Sequence, residues 1–151
     1  MKKYLFTFIL AIVIGFFLSY LFINQYRGYN GIKVSGLGDE LYFVQYGVYS
    51  TVESMEKETI SLQNYIYNNT DNMYYVYVGI TKDSDNANKI VKYYKDLGYE
   101  TIIKKFEVTN DKFLGEINNY DNILKETIDN TAIASLINQI LIKYEEVVIS
   151  G

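Results

Sequence analysis

The chain has 151 residues, of which 49% are hydrophobic, and its formal net charge at pH 7 is −4. With no Cys and no His, it lacks the common zinc ligands, thiol nucleophiles and Ser–His–Asp triads. Its lysines are scattered rather than gathered in a basic stripe, which argues against nucleic-acid binding. No pair of Asp or Glu residues is singled out by its spacing. We therefore predict no enzyme, no catalytic residue, no metal and no cofactor.

Residues 4–23 carry no charge and are dominated by Leu, Ile, Val and Phe. A helix of this length spans about 30 Å, which is the thickness of a bilayer's hydrocarbon core. Lys2 and Lys3 precede the segment, so the positive-inside rule predicts that residues 1–3 are cytoplasmic and the rest of the chain is extracytoplasmic. Because no small-residue cleavage site follows the long apolar run, we expect an uncleaved single-pass anchor in the cell membrane rather than a signal peptide.

The region after the anchor begins with a glycine-punctuated stretch, residues 24–40, which predicts a linker. Residues 41–49 are rich in aromatic and β-branched side chains and predict a strand. Residues 50–53 have the pattern of a capping box that opens a helix. The helical spacing of Met55, Thr59, Leu62 and Ile66 predicts its buried face. A polar cluster over residues 68–72 then predicts a turn.

The next elements complete a small α+β domain. Residues 73–80 predict a second strand. A second helix is indicated by apolar side chains from Ala87 to Leu97, with Gly98 as a left-handed C-cap. Residues 99–104 predict a third strand, and residues 106–108 are a candidate fourth. This order, β-α-β-β or β-α-β-α-β, predicts a ferredoxin-like, split β-α-β fold: an antiparallel sheet with two helices on one face.

Residues 118–149 predict one amphipathic C-terminal helix, because apolar side chains recur at helical spacing from Leu124 to Tyr144. Polar residues interrupt this stripe, which argues against a membrane span. The stripe must therefore pack on another protein surface. If it covers Tyr75 and Tyr77, the sheet face that bears them is closed. If it packs elsewhere or on a partner, that face is open.

Three segments carry a resemblance to a known family. Tyr42–Ser50 is similar to an opening strand of the type aromatic-Val-Gln-x-Gly-small-aromatic, and Tyr75–Ile80 is similar to a second strand that ends in Val-Gly. Ala87 and residues 97–99 match a second helix followed by a Gly-aromatic step. Together, over residues 42–106, they resemble the SPOR domain, the sporulation-related repeat family.

The resemblance places a SPOR-like domain at residues 41–109 and implies a binding module rather than an enzyme. Such domains bind peptidoglycan glycan strands, particularly strands without stem peptides at septa. It therefore implies a membrane-anchored protein that acts at the cell wall during division or sporulation. Membrane proteins of those two processes are its candidate partners.

Strand alternation predicts which side chains would meet the glycan. If Val44, Val76 and Val78 face the helices, the opposite face is uncharged and aromatic, and it suits sugar rings, which stack on aromatics and hydrogen-bond to hydroxyl and amide groups. Ile103 joins this face if the register of the last strand allows it. Val48 is added by its place in the family pattern. The candidate glycan-binding residues are Phe43, Gln45, Val48, Met73, Tyr75, Tyr77 and Ile103.

Departures from the family pattern support an alternative. Some members line the glycan site with an aromatic and an Arg two positions apart, where this chain has Met73 and Tyr75. Val48 stands where Ser or Ala is common. The alternative is a protein–protein interaction module of a membrane complex that has lost glycan binding. Tyr75 and Tyr77 would then serve only as good strand formers.

Overall fold

The computed structural model describes residues 38–149, which lie within one compact unit, Gly36–Gly151. The predicted cytoplasmic residues 1–3, the predicted anchor at residues 4–23 and all but the end of the predicted linker lie outside the described residues. Within residues 38–149, no helix combines the length and the apolarity needed to cross a bilayer.

The described chain forms an α+β domain, and its first six elements follow the order β-α-β-β-α-β. The elements are β1 (Asp39–Tyr49), α1 (Val52–Thr59), β2 (Ile66–Thr70), β3 (Met73–Thr81), α2 (Ser84–Asp96), β4 (Ile102–Val108), α3 (Asp111–Glu126), α4 (Asn130–Tyr144) and a π-helical turn (Glu145–Ile149). The strands form one antiparallel sheet in the order β2-β3-β1-β4. The predicted α+β class with an antiparallel sheet is therefore confirmed.

Strand β2 is the element that the sequence reasoning missed. Helix α1 ends at Thr59, so Ile66 begins a strand instead of continuing the helix face. Only Asp71 and Asn72 form the turn, with φ angles of 54° and 59°, as a tight two-residue hairpin requires. The predicted turn over residues 68–72 is therefore too long. Ile66 is the only buried residue of β2, so this strand carries no alternating hydrophobic signal.

The hydrogen bonds at two helix ends test the caps that the sequence predicts there. The left-handed cap at Gly98 is confirmed, because Gly98 has a φ of +89°. Its N–H donates to the Lys95 carbonyl, and the N–H of Tyr99 donates to the Tyr94 carbonyl, each at 2.9 Å, which is the Schellman pattern. At α1 the cap is Thr51, whose side chain accepts from the Ser54 N–H at 3.1 Å. The N-cap is therefore one residue later than Ser50, which is the cap position of the predicted box.

The C-terminal region contains two helices, so the prediction of one helix over residues 118–149 is wrong. Helix α3 already begins at Asp111, and the chain leaves helical geometry at Thr127, where ψ is 128°. Asp129 starts the next helix, because its side chain accepts from the Ala132 N–H at 2.8 Å. Ile128, in the break, is 92% exposed. Its apolar side chain had made the two helical patterns look continuous.

The two sheet faces differ in what covers them. Helices α1 and α2 pack on one face, called here the helix-bearing face. There a Cβ on Gly79 would touch Ile90 of α2 and Val44 of β1, and the Tyr46 hydroxyl donates to the Glu58 carbonyl of α1 at 3.3 Å. The opposite face, called the outer face, carries Phe43, Tyr75 and Tyr77. The predicted division of the side chains of β1 and β3 between the faces is therefore observed.

Gly79 permits the close approach of α2 to the sheet. In a Gly79→Ala variant the new Cβ would lie 2.8 Å from Ile90 Cγ2, and Ile90 is fully buried. We expect this variant to lower the free energy of unfolding by about 1–3 kcal/mol, the usual cost of overpacking a core. Urea denaturation of residues 36–151 measures it.

Gly115→Ala is the matched control for this prediction. Gly115 lies in α3, and a Cβ there meets no heavy atom within 4 Å among the described residues beyond its own helix and chain neighbours. Alanine should stabilise that helix by about 0.5–1 kcal/mol. A Gly79→Ala variant as stable as the wild type would show that α2 does not approach the sheet this closely.

Candidate functional site

The floor of the outer face is a cluster of three aromatic rings. Phe43 lies edge-on to Tyr77 with ring centroids 5.4 Å apart, and Phe106 lies 5.1 Å from Phe43 and 5.7 Å from Tyr77. Edge-to-face contacts of this kind stabilise a cluster beyond its buried area. Phe43 and Tyr77 are 3% and 6% exposed, whereas Phe106 is 42% exposed. The cluster is therefore a buried floor with one open edge.

The end of α4 lies over part of this floor. The Tyr144 ring packs 5.4 Å from Phe43 and 5.1 Å from Phe113 of α3. Burial, together with the nearby Tyr75 and Tyr144, raises the pKa of Tyr77 to about 12. Its hydroxyl is consequently a neutral hydrogen-bond donor at ordinary pH. Two arrangements were predicted for the C-terminal stripe, one that closes this sheet face and one that leaves it open. The structure lies between them, because Tyr77 is covered whereas Tyr75 is only half-buried.

Between the covering helix and the sheet runs a groove of about 300 Å³. It crosses the outer face from β2 to β4, with the three-ring floor beneath it and the π-helical turn along one side. Tyr67 and Phe106 form exposed parts of its rim. The lining residues are Phe43, Ile66, Tyr67, Asn68, Tyr77, Phe106, Glu107, Val108, Tyr144, Val148 and Ile149. The groove, called here the outer groove, is an aromatic channel with polar groups at its rim.

The predicted site residues fall into two groups on the outer face. Three are buried: Phe43, Gln45 and Tyr77. Three are reachable from solvent: Val48, Met73 and Tyr75. Tyr75 pairs with Val48 on one side and with Asn68 on the other, and cross-strand partners share a face. The side chains of Val48, Met73 and Tyr75 form a strip next to the outer groove.

Ile103 does not join the outer face. It pairs with Val44, a residue of the helix-bearing face. Its neighbour Ile102 pairs with Gln45 and therefore lies on the outer face instead, where its side chain is 52% exposed. A shift of one residue in strand register moves every side chain to the other face, and the register of β4 is set by its pairing with β1.

Of the eleven residues that line the groove, only Phe43 and Tyr77 were predicted as site residues. The nine others include four aromatic or amide side chains: Tyr67, Asn68, Phe106 and Tyr144. Phe106 pairs with Leu41, so alternation along β4 would have found it once the register was known. Asn68 had been assigned to a turn. Tyr144 was recognised as part of an apolar stripe, but its contact with Phe43 joins residues that are far apart in the chain.

A buried carboxylate holds α3 in place beside the sheet. Asp121 accepts hydrogen bonds from the Thr81 hydroxyl, from the Lys82 N–H at 2.8 Å and from Asn86 Nδ2 at 3.2 Å. Burial raises the pKa of Asp121, while these hydrogen bonds oppose the rise. Lys89 adds a second tie, because its ammonium donates to the Leu124 carbonyl at 2.7 Å. Both ties position the α3–α4 hairpin that covers the outer face.

The part of the chain that the structure describes contains no group of three acidic side chains placed to hold a metal ion. Besides aliphatic side chains and the Glu107 carboxylate, the outer groove is lined by aromatic rings, phenol hydroxyls and the Asn68 amide. Such groups bind by stacking and hydrogen bonding.

Comparison with known proteins places one solved structure beside this chain. No protein-family model matches the chain, and no curated protein matches it. The solution structure of the peptidoglycan-binding domain of the B. subtilis cell wall lytic enzyme CwlC aligns over 50% of this chain and 99% of its own, with 24% identity and a TM-score of 0.39. Since that TM-score is low, we base the functional proposal on the chain's own residues.

Proposed function

We propose that this protein is a membrane-anchored peptidoglycan-binding protein that holds glycan strands on the outer face of its extracytoplasmic domain. The single observation that carries the proposal is the aromatic outer groove, continued by the half-buried Tyr75 between Val48 and Asn68. Sugar rings present C–H faces that stack on aromatic rings, and their hydroxyl and acetamido groups pair with hydroxyls and amides. The resemblance to the SPOR family supports glycan strands as the ligand.

The anchor at residues 4–23 would hold this domain close to the membrane, since a flexible linker of 17 residues reaches about 20–25 Å. Action at the wall during division or sporulation, and partners among the membrane proteins of those processes, follow from the resemblance and belong to the same proposal.

Sedimentation with isolated peptidoglycan sacculi tests the proposal. Residues 36–151, which contain the whole compact unit, are mixed with sacculi, either untreated or stripped of stem peptides by an amidase, and spun down. We expect the protein in the pellet, with more of it on stripped sacculi, because bare strands have room to enter the outer groove. Protein that stays in the supernatant with both preparations would refute glycan binding.

Tyr75 is the residue to change first. We expect Tyr75→Ala to weaken retention on stripped sacculi about tenfold, which corresponds to about 1.4 kcal/mol, because one stacking ring is lost. The variant should stay folded, since Tyr75 is only half-buried. Binding curves from sedimentation at increasing amounts of sacculi measure the change.

Tyr49→Ala is the matched control for Tyr75→Ala. Tyr49 lies in β1, is half-buried as Tyr75 is, and pairs with Tyr74 on the helix-bearing face. It should leave retention unchanged. Equal losses in the two variants would move the binding surface away from the outer face.

A protein-interaction module is the second candidate function. It is favoured by apolar exposure at the edge of the outer face, where Val48, Ile102 and Phe106 are 38%, 52% and 42% exposed. Apolar groups with aromatic neighbours are common at the centre of protein interfaces. A domain that ignores both kinds of sacculi but co-purifies with one membrane protein, and loses it on Phe106→Ala, would establish this function instead.

A further inference from the structure

The floor of the outer groove and its covering side come from different parts of the chain. The three rings of the floor belong to the sheet. On the covering side, Tyr144 at the end of α4 and Val148 and Ile149 of the π-helical turn line the groove. Residues 144–149 are called here the C-terminal cover. The sheet and its two helices are complete at Val108, so the cover is added by a later segment of the chain.

The Tyr144 ring occupies a position on the floor where the ring of a ligand would pack. It lies edge-on to Phe43 with ring centroids 5.4 Å apart, and this contact contributes to the burial of Phe43. A sugar ring and the edge of an aromatic ring suit the same surface, because both direct C–H groups at an aromatic face. Tyr144 and a glycan would therefore compete for the centre of the outer groove.

Contacts near the protein surface hold the C-terminal cover in place. No residue of the π-helical turn is buried. Asn110 Nδ2 donates to the Val147 carbonyl at 2.7 Å, and the Lys143 ammonium forms an ion pair with Glu116 of α3 at 3.3 Å. Single hydrogen bonds and partly exposed ion pairs each contribute little net stability. A segment held in this way opens at a much lower free energy than the whole domain unfolds.

The body of α4, in contrast, is fixed in the core. Ile137, Ile140 and Leu141 are buried, and they belong to the same hydrophobic cluster as the sheet. The geometry changes from α-helical to π-helical at Glu145, within one turn of this buried stretch. Single π-helical turns are rare and occur frequently at functional sites. The C-terminal cover can therefore open while the rest of α4 stays on the sheet.

We propose that the C-terminal cover is autoinhibitory: it narrows the outer groove in the free domain, and a glycan strand binds by displacing it from the floor. The inference rests on the proposed glycan binding and adds how that binding is limited. The apparent affinity for glycan is then proportional to the fraction of molecules in which the groove is open. A change that releases the cover without altering the floor should therefore raise the affinity.

Asn110→Asp tests the cover while keeping all of its residues. The new carboxylate still accepts from the Phe113 N–H, as the N-cap of α3 requires, but it cannot donate to the Val147 carbonyl. We expect faster hydrogen exchange over residues 145–149 and at least twofold tighter retention on stripped sacculi. Asn118→Asp is the matched control, because Asn118 is exposed on the same helix, away from the cover, and adds the same charge. Faster exchange without tighter retention would overturn the proposal.

Truncation after Tyr144 is the second test. Because no residue of the π-helical turn is buried, residues 36–144 should fold with a melting temperature close to that of residues 36–151. We expect the shorter protein to bind stripped sacculi at least threefold more tightly, measured by sedimentation at increasing amounts of sacculi. Equal retention would overturn the cover, and weaker retention would make the turn a wall of the binding site instead. In both of those cases glycan binding stands, whereas a failure of both proteins to sediment would refute glycan binding and the cover with it.

Discussion

Replacing Phe43 with alanine is expected to lower the free energy of unfolding of residues 36–151 by about 3–5 kcal/mol, as for other buried phenylalanines. Phe43 is 3% exposed. Its ring is surrounded by those of Tyr77, Phe106 and Tyr144 at 5.1–5.4 Å, so truncation removes the centre of the outer-face floor. Chemical denaturation measures the loss. Alternation had made Phe43 a candidate glycan ligand, whereas its burial indicates that it supports the site from beneath.

Phe106→Ala is the control that distinguishes these two roles. Phe106 contacts the same cluster but is 42% exposed, so its loss should cost about 1–2 kcal/mol, the value of a partly buried ring. If Phe43→Ala were as stable as Phe106→Ala and still lost retention on sacculi, Phe43 would be a direct ligand of the glycan. The closed floor described for the outer face would then be incorrect.

The second large effect is expected at Asp121. Alanine there removes the carboxylate acceptor of the Thr81 hydroxyl and of the Lys82 N–H, whereas Asn86 Nδ2 keeps the Asp121 carbonyl as an acceptor at 2.9 Å. Each buried donor left unpaired costs about 1–3 kcal/mol, so the free energy of unfolding should fall by about 2–5 kcal/mol. The α3–α4 hairpin loses a tie to the sheet at the same time, and we expect hydrogen exchange to quicken most in α3 and α4. Asn122→Ala, next to it on the exposed side of α3, should have little effect.

The pH dependence of the free energy of unfolding shows whether burial or hydrogen bonding dominates the pKa of Asp121. Burial raises the pKa of this carboxyl above its ordinary value of 3.8, so the folded protein holds the proton to higher pH than the unfolded chain. The stabilisation from this group is therefore complete below 3.8 and is lost as pH rises through the raised pKa. Relative to Asp121→Asn, which does not titrate, the wild type should lose stability over that range. A relative gain with rising pH would mean that the hydrogen bonds to Asp121 outweigh its burial.

Parts of the fold and of the outer face were predictable wherever the signal comes from residues close together in the sequence. The aromatic and β-branched run of β1, the spacing of Ala87, Ile90 and Tyr94 in α2, and the left-handed Gly98 depend on residues adjacent in sequence. Alternation within β1 and β3 likewise placed Phe43 and Tyr77 on one face. Strand β2 was not predicted, because it buries only Ile66. Helices α3 and α4 were predicted as one helix, because apolar residues continue through the break between them at Ile128.

By itself, the sequence determined the strands β1 and β3, the helix α2 with its cap, the aromatic character of one sheet face and the lack of Cys and His chemistry. These features follow from backbone preferences and side-chain periods that act over a few residues. Tertiary structure alone decided that Ile102 rather than Ile103 joins the outer face, that Asp121 reaches Thr81, and that Tyr144 covers Phe43. The reason is that register and burial depend on contacts between residues many positions apart, and no periodicity within one segment contains that information.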